Sequence, residues 1–247
     1  MMIPSLSNKK KVFNEFKNRT FVLTGYSKGI GRQVYENLNS LGSNLILIGR
    51  KKFKNKKVFV CDLSDPLKLD LLCNSISKKF NRIDGIVHCA GLNNCVKISE
   101  IPLDEWNKVF SINLTTAYIL SKNFKKNLSK SNNPSIVFVS SIAGHRKSVV
   151  SGVHYVSSKA GLIGLSKQLS QEFGKYKIRV NCISPSQTAT KMLKNSMTKQ
   201  QIQNLIRSIP LGRLASTQDQ SNGILFLLSS LSNYISGSSI NIDGGQI

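Results

Sequence analysis

A tyrosine and a lysine four residues apart are the side chains in this sequence with the clearest capacity for chemistry. Tyr155 and Lys159 lie in SGVHYVSSKAGLIGL (residues 151–165), whose apolar spacing predicts a helix. Residues at i and i+4 share one helix face, so the phenol and the ammonium can occupy one site. A cation about 4 Å away favours the phenolate by up to about 3 pKa units. The pair therefore predicts acid–base catalysis by a tyrosine whose pKa is lowered.

The same spacing occurs again in Tyr118 and Lys122 of YILSK, and at most one copy needs to be catalytic. Spacing alone is more typical of ordinary helix neighbours. The Tyr155 copy is favoured by the other motifs that accompany it along the chain, and not by its spacing.

A glycine-rich turn follows the first predicted strand. The stretch TGYSKGIG (24–31) has the pattern T-G-x-x-x-G-x-G, with glycines at Gly25, Gly29 and Gly31. These glycines permit a sharp turn and let a pyrophosphate reach the N-terminus of the next helix. The strand–turn–helix context favours phosphate binding over a simple turn, and the remaining predicted cofactor-binding residues of the turn are Ser27, Lys28 and Ile30.

Basic residues follow the second predicted strand, where a doubly wound fold meets the adenosine ribose of a dinucleotide. An acidic residue there would take the 2′-hydroxyl, whereas Arg50 and Lys51 suit a 2′-phosphate. The sequence thus predicts that NADP(H) is favoured over NAD(H). A chain this rich in lysine also places basic residues at many positions that have no ligand.

Composition narrows the function classes. The chain has 247 residues and a formal net charge of +23, which suits nucleic acid, a membrane surface or an acidic partner. A solvated, lysine-rich surface explains the charge as well, and the even spread of lysines favours it. The five cysteines show no C-x-x-C spacing and the three histidines are scattered, so no disulfide framework or metal site is predicted and a reducing cytoplasm is expected. No apolar run could span a bilayer, and the first residues lack the features of a secretory signal.

Strands and helices alternate from Thr20 onward, and the strands are nearly continuous apolar runs. This predicts an α/β, doubly wound Rossmann fold in a single domain, with a mainly parallel seven-stranded sheet covered on both faces. We expect residues 1–18 to form a flexible or loosely packed tail and residues 19–247 to form the catalytic domain. The eleven residues between Arg50 and Asp62 predict a loop, because they are too few for a crossover helix and a strand.

Together these features resemble the short-chain dehydrogenase/reductase family, of the 3-oxoacyl-(acyl carrier protein) reductase type. The resemblance covers residues 20–247. It rests on motifs in the family's order, which are TGYSKGIG (24–31), CDL (61–63), CAG (89–91), SINLTTA (111–117), VSSIAG (139–144), Tyr155 with Lys159, RVNCISPS (179–186), IPLGRLA (209–215) and DGG (243–245). Such an ordered set is far more specific than any single glycine pattern.

The resemblance implies a role for each polar residue. Tyr155 would protonate the substrate oxygen during reduction, and Lys159 would lower its pKa and hold the nicotinamide ribose. Ser141 would bind the substrate carbonyl, and Asn113 would hold a water that links Lys159 to solvent. Further cofactor contacts would come from Asp62, Leu63, Ala90, Gly91, Pro185, Ser186, Thr188 and Thr190.

The sequence departs from the family's pattern in three places. His88–Cys89 replaces paired asparagines, and Pro185–Ser186 replaces a Pro-Gly pair. Thirteen residues separate Ser141 from Tyr155, one more than the pattern, so this loop must bulge. Ser140 is a weaker candidate for the substrate contact.

The implied activity is NADPH-dependent reduction of a carbonyl to a secondary alcohol, or the reverse. A 3-oxoacyl thioester of fatty acid metabolism is the leading substrate, with an acidic acyl carrier protein as a possible partner. The short connection after Arg50 also suits a dihydrodiol or sugar-derivative dehydrogenase. A non-catalytic nucleotide- or RNA-binding module is the alternative from another class.

Two further features concern partners. The basic run His145, Arg146 and Lys147 could meet an anionic group or face solvent. Small residues on the Tyr155 helix permit close helix approach and, with the resemblance, predict a homo-oligomer, a dimer or a tetramer; they are Ala160, Gly161 and Gly164.

Overall fold

One seven-stranded sheet forms the centre of the molecule. The computed structural model describes residues 14–51, 58–190, 193 and 198–247. All seven strands are parallel and pair in the order β3-β2-β1-β4-β5-β6-β7. Their bounds are β1 (Thr20–Thr24), β2 (Asn44–Gly49), β3 (Val58–Val60), β4 (Gly85–His88), β5 (Ser135–Val139), β6 (Arg179–Pro185) and β7 (Ser239–Ile242). The predicted doubly wound fold is confirmed, and the order reverses between β1 and β4, where such a sheet opens a crevice at its carboxyl edge.

Helices cover both faces of the sheet. Their bounds are α1 (Gly29–Ser40), α2 (Pro66–Lys79), α3 (Leu103–Phe110), α4 (Thr116–Leu128), α5 (Val153–Phe173), α6 (Lys199–Arg207) and α7 (Thr217–Leu228). Alternate residues of β1 enter different cores: Val22 joins the cluster with α2, α4 and α5, while Phe21 and Leu23 join the cluster with α1 and α7. Because both faces are buried, the strands read as the continuous apolar runs seen in the sequence.

The long helix predicted over 103–129 is interrupted at one point. A π-helical turn, Ser111–Thr115, separates α3 from α4. Such a turn inserts one residue into the helical ladder and is frequent at functional sites. Here it contains Asn113, which is fully buried although its side chain is polar.

Two buried arginines close the opposite, amino edge of the sheet. Arg179 donates to the carbonyl oxygens of Leu227 and Ser229 at 2.8 and 3.2 Å. Arg19 donates to Leu228 O at 3.3 Å, so the two guanidinium groups satisfy carbonyls at the C-terminus of α7. Burial lowers the pKa of Arg179 to about 10, and the side chain stays charged at neutral pH.

Packing begins before the first strand. Phe16 is 1% exposed and lies 6.0 Å from Phe21, centroid to centroid, and Glu15 accepts two contacts from Ser230 N. Glu15 and Phe16 thus contact the domain, although they lie within the range 1–18 that is predicted to be a flexible or loosely packed tail. Residues 1–13 of that tail, and most of the loop predicted between Arg50 and Asp62, lie outside the described residues. No described helix is both long and apolar enough to cross a membrane.

Candidate active site

Helix α5 carries the tyrosine and the lysine. Tyr155 and Lys159 lie one turn apart near its start, and the Lys159 Nζ is 5.6 Å from the centroid of the Tyr155 ring. Lys159 is 3% exposed and donates to Val139 O, at the end of β5, at 2.7 Å. Tyr155 is partly exposed. The predicted pair therefore shares one helix face at the carboxyl edge of the sheet, with the lysine behind the tyrosine.

Ser141 lies beside Tyr155 just after β5. Its side chain lies close enough to the phenol of Tyr155 to act on the pKa of that phenol, and its Oγ accepts a hydrogen bond from Ala143 N at 3.1 Å. Ser140 is buried and turned away, because its hydroxyl donates to Lys159 O at 2.9 Å. Of the two serines, Ser141 is the one placed to meet a substrate oxygen together with Tyr155.

Asn113 joins three segments around the site. Its Oδ1 accepts a hydrogen bond from Leu92 N at 2.8 Å, and its Nδ2 donates to Leu92 O at 3.1 Å. The same Nδ2 donates to Ser158 Oγ at 2.9 Å, and Ser158 Oγ donates to Tyr155 O at 2.8 Å. The amide thus pairs with both the N–H and the carbonyl of Leu92, as the backbone of a neighbouring strand would. Through Ser158 it also holds the first turn of α5 in place.

His88 occupies the space between the glycine-rich turn and Asn113. Its Nδ1 lies 2.8 Å from Thr24 Oγ1, and its Nε2 lies 3.2 Å from Asn113 O. A carbonyl can only accept, so Nε2 carries the proton and Nδ1 accepts from the threonine hydroxyl. Burial, together with the nearby charge of Lys159, lowers the pKa of His88 to about 3, so the ring is neutral.

The pKa values differ from the sequence expectation. The pKa of Tyr155 is raised, mainly by burial, with the Ser141 side chain opposing the shift. The predicted lowering by Lys159 is not found, because the lysine ammonium points to Val139 O. Burial lowers the pKa of Lys159 to about 8. At neutral pH the site therefore holds a protonated phenol beside a charged lysine.

The glycine-rich turn has the shape that a dinucleotide requires. Gly25 and Gly29 have φ values of +74° and +58°, in the region where side chains are strained. A Cβ at Gly31 would lie 2.3 Å from Gly25 O, so only glycine permits this close turn. The first turn of α1 receives no side-chain cap from Lys28, which leaves its amide groups to an anion. These features fit a bound pyrophosphate.

The nucleotide would continue along the carboxyl edge toward Tyr155. A Cβ at Gly91 would lie 3.5 Å from Lys159 Nζ. Gly91 therefore borders the ammonium group and adds no side chain to the space that the nucleotide would cross. On the far side, the Thr190 methyl group lies 3.5 Å from the position of a Cβ at Gly29. The segment with Thr190 and the phosphate turn are therefore neighbours, as the predicted cofactor set requires.

The other predicted cofactor residues lie along the same edge. Ser27, Lys28, Arg50, Lys51 and Asp62 are exposed, whereas Ile30 and Ser186 are half-buried and Leu63, Ala90, Pro185 and Thr188 are buried. The Asp62 carboxylate accepts from the backbone and hydroxyl of Ser64, and these bonds lower its pKa. Asp62 therefore has a local structural partner in addition to its predicted place near adenine.

The second tyrosine–lysine pair lies on the surface. Tyr118 is 49% exposed on α4, and Lys122 forms an ion pair with Asp70 at 3.3 Å. Among the residues that the structure describes, no hydroxyl or amide is placed beside this pair as Ser141 and Asn113 are placed beside Tyr155, since Lys122 faces the carboxylate of Asp70 on α2. The surroundings of Tyr155, and not the spacing, distinguish the two pairs.

Known proteins match nearly the whole chain. A sequence model of the family described as enoyl-(acyl carrier protein) reductase matches residues 25–246. The 3-oxoacyl-(acyl-carrier-protein) reductase of Aquifex aeolicus is 32% identical over 248 residues, covering 94% of this chain and 98% of that protein. The chain belongs to the short-chain dehydrogenase/reductase family. As a member of this family it is an NAD(P)-dependent oxidoreductase.

Solved structures of short-chain dehydrogenases share the fold. The aldohexose dehydrogenase of Thermoplasma acidophilum, in ligand-free form, has a TM-score of 0.86 at 25% identity, covering 95% of this chain and 96% of that one. A short chain dehydrogenase from Leptospira borgpetersenii with bound NAD+ has a TM-score of 0.86 at 26% identity, covering 100% and 97%. The neighbours thus include a sugar dehydrogenase as well as carrier-protein reductases among the sequence relatives.

Two departures from the short-chain dehydrogenase pattern are accommodated locally. Ser186 does not have a positive φ, so the missing glycine causes no backbone strain. Its Oγ donates to Asp243 O at 3.3 Å. The longer loop before Tyr155 is joined to the segment after β4, because Gly152 N donates to Asn94 O at 3.0 Å.

Some residues in this short-chain dehydrogenase site could not be found from the sequence. The contacts of His88 and Ser158 join positions that are far apart in the chain, and no local pattern indicates them. For the basic run His145–Lys147, the sequence left two possibilities open, contact with an anionic group and exposure to solvent. In the structure His145 contacts Ser184 Oγ at 3.0 Å, and Arg146 donates to Gln246 O at 3.0 Å.

Proposed function

We propose that this chain is an NADPH-dependent reductase that converts the ketone of a 3-oxoacyl thioester to a secondary alcohol. The observation that carries the proposal is the meeting of Ser141, Tyr155 and Lys159 beside the glycine-rich turn. A phenol, a hydroxyl and a buried cation in one place can stabilise and protonate a developing alkoxide. Bound NADPH would supply the hydride that the ketone carbon accepts.

The chain's own residues would supply orientation and the proton. Ser141 and Tyr155 would both bind the ketone oxygen, which fixes the face of the carbonyl. Because the pKa of Tyr155 is raised, the phenol is protonated at neutral pH and can give its proton to the oxygen as the alcohol forms. The phenolate left behind would be stabilised by Ser141 and by the charge of Lys159 until a proton returns from solvent.

The cofactor preference is proposed from charge. Arg50 and Lys51 are exposed directly after β2, and Lys28 is exposed in the glycine-rich turn. A 2′-phosphate on the adenosine ribose would gain from these cations, whereas a free 2′-hydroxyl would not. We therefore propose NADP(H) in preference to NAD(H).

The substrate and the partner protein are also proposed from the positive charge of the chain. The loop over 142–153 includes exposed Arg146 and Lys147, and the net charge of the chain is +23. An acidic acyl carrier protein would be attracted to such a surface. The relative from Aquifex aeolicus is named for a carrier-linked substrate, which supports this choice. Since all five cysteines are free, a reducing cytoplasm is the proposed location.

A sugar or cyclic diol is the second candidate substrate, because an aldohexose dehydrogenase shares the fold. One series of assays distinguishes the two candidate substrates. NADPH oxidation is followed at its absorbance band with 3-oxoacyl thioesters, and NADP+ reduction is followed with aldohexoses and cyclic diols. The proposal expects the highest kcat/KM for a 3-oxoacyl thioester, and a higher value for a sugar would replace it.

A non-catalytic role needs a separate outcome in the same series. If no carbonyl or alcohol is turned over, and nucleic acid is retained with a steep loss of binding in salt, the chain is a binding module. The Tyr155→Phe variant is the matched control for true turnover, since it keeps the ring and removes the proton donor.

A homo-oligomer is proposed on helix α5. The three small residues differ in what surrounds them. A Cβ at Gly161 would lie 2.9 Å from the Leu114 side chain, so this glycine serves packing inside the protomer. Gly164 has open space around it, and Ala160 is exposed, so these two would permit another helix to approach. Sedimentation at micromolar concentration tests the proposal, and a monomer would contradict it.

A further inference from the structure

A buried tyrosine connects the glycine-rich turn to the end of β2. Tyr26, the residue after Gly25, is 2% exposed. Its hydroxyl donates to the backbone carbonyl of Lys51 at 2.7 Å, across 25 positions of the chain. Burial raises the pKa of Tyr26, so the phenol remains a donor at every pH near neutrality. One side chain therefore joins the segment that would hold the pyrophosphate to the segment that would meet the adenosine ribose.

The last residue of β2 is shaped to receive this ring. A Cβ at Gly49 would lie 3.0 Å from Tyr26 Cε1 and 3.1 Å from its hydroxyl oxygen. Gly49 also accepts a hydrogen bond from Cys61 N at 3.1 Å, so the strand cannot shift to make room without losing a contact. The tyrosine and the glycine are thus complementary, and together they fix where the chain leaves the sheet.

That exit point determines the position of two cations. Arg50 and Lys51 follow Gly49 directly and are exposed. The pKa of Asp62, just after β3, is lowered chiefly by the hydrogen bonds from Ser64 and further by the charge of Arg50, which is therefore within electrostatic range of this carboxylate. The backbone of Lys51 is held by Tyr26, whereas its side chain is free of that contact and can turn to an anion. Because the backbone is already fixed, less conformational entropy is lost when the two side chains bind an anion.

We propose that Tyr26 is a positioning residue for cofactor specificity, which holds the Arg50–Lys51 backbone where both side chains can meet the 2′-phosphate of NADP(H). The proposal rests on the proposed NADP(H) preference. It predicts an effect only on ligands that carry a 2′-phosphate, because the buried tyrosine would act through the two cations. A general structural role would weaken every nucleotide equally.

Direct binding tests this without turnover. Dissociation constants for NADPH, NADH, adenosine 2′,5′-bisphosphate and AMP are measured by titration calorimetry on the wild type and on Tyr26→Phe. We expect Tyr26→Phe to weaken NADPH and the bisphosphate about fivefold, the scale of one lost hydrogen bond, and to leave NADH and AMP within about twofold. Tyr35 is a buried tyrosine of α1 in the same core cluster, so Tyr35→Phe is the matched control. It should change neither the ratio of the NADPH and NADH dissociation constants nor the ratio of the bisphosphate and AMP constants.

A double-mutant cycle shows whether the tyrosine acts through the cations. In a background with Arg50→Ala and Lys51→Ala, Tyr26→Phe should no longer change the NADPH to NADH ratio. If Tyr26→Phe does not fold, Gly49→Ala provides the same test, because its methyl group would displace the ring; the selective loss for NADPH is again expected.

The outcomes separate the inference from the function on which it rests. A wild type that binds NADH more tightly than NADPH would refute the proposed cofactor preference, whatever the variants do. A wild type that prefers NADPH, with an unchanged ratio in both Tyr26→Phe and Gly49→Ala, would overturn the role of Tyr26 alone. Equal losses for all four ligands would also overturn it, in favour of a structural role.

Discussion

The Nε2 of His88 lies 3.2 Å from the carbonyl oxygen of Asn113, so a neutral imidazole donates to the backbone of the π-helical turn. The family resemblance assigned a bound water to Asn113, and the imidazole now supplies one donor to its carbonyl. That carbonyl can only accept, which fixes the proton on Nε2, and Thr24 at the end of β1 then donates to Nδ1. The residue that departs from the family's asparagine thus connects the glycine-rich turn to the catalytic region.

His88 should lower the free energy of unfolding at acidic pH. Its folded pKa of about 3 lies below the ordinary value of 6.5, so the unfolded chain binds the proton first as pH falls. Stability present above pH 6.5 is therefore lost toward pH 3, at up to about 1.4 kcal/mol per pH unit. In His88→Gln, which does not titrate, the free energy of unfolding should fall less between pH 6 and pH 4 by urea denaturation. Equal slopes for both proteins would show that His88 is not held neutral.

Tyr155→Phe should lower kcat for carbonyl reduction at least about 1000-fold, because the proton donor is lost. The dissociation constant of NADPH should stay within about twofold, since the ring remains in place. Tyr118→Phe is the control with the same spacing to a lysine, and it should keep full activity because Tyr118 lies on the surface. Substantial turnover by Tyr155→Phe would remove the tyrosine from the mechanism.

The rate of reduction should fall above about pH 8. Burial lowers the pKa of Lys159 to about 8, so the ammonium is charged below that pH and neutral above it. Loss of this charge leaves the developing alkoxide and phenolate less stabilised. A profile of kcat/KM from pH 6 to pH 10 measures the decline. Lys159→Arg, which stays charged, should move the decline to higher pH, and a wild-type profile that is flat to pH 10 would contradict the assignment.

Arg179→Met should lower the free energy of unfolding by about 3 kcal/mol or more. The substitution removes five hydrogen bonds that the buried guanidinium donates, and hydrogen bonds from a charged group contribute more than neutral ones; the acceptors are Leu227 O, Ser229 O, Ser232 O, Ser232 Oγ and Asn133 Oδ1. Arg213→Ala is the control, because Arg213 pairs with Asp219 at the surface and its loss should cost much less. Activity of the folded Arg179→Met protein should be normal, since Arg179 lies at the edge opposite to the site. Similar stability losses in the two variants would refute this.

The sequence alone determined the succession of strands and helices and the parallel, doubly wound character of the sheet. Apolar runs and their spacing are local properties, so they predicted the parallel strands, the helix of Tyr155 and the glycine-rich turn that begins α1. The i, i+4 spacing likewise placed Tyr155 and Lys159 on one face. The preference for Ser141 over Ser140 came from the family resemblance, and the structure places the Ser141 side chain beside Tyr155.

Only the tertiary structure decided the electrostatics and the long-range contacts. Spacing predicted a lowered pKa for Tyr155, but burial and the turn of Lys159 toward Val139 O reverse the shift. The contact of Tyr26 with Lys51 and the link from His88 to Asn113 each join segments that meet only when the sheet is assembled. Desolvation and hydrogen bonding depend on which atoms surround a group in three dimensions, and no periodicity along the chain encodes them.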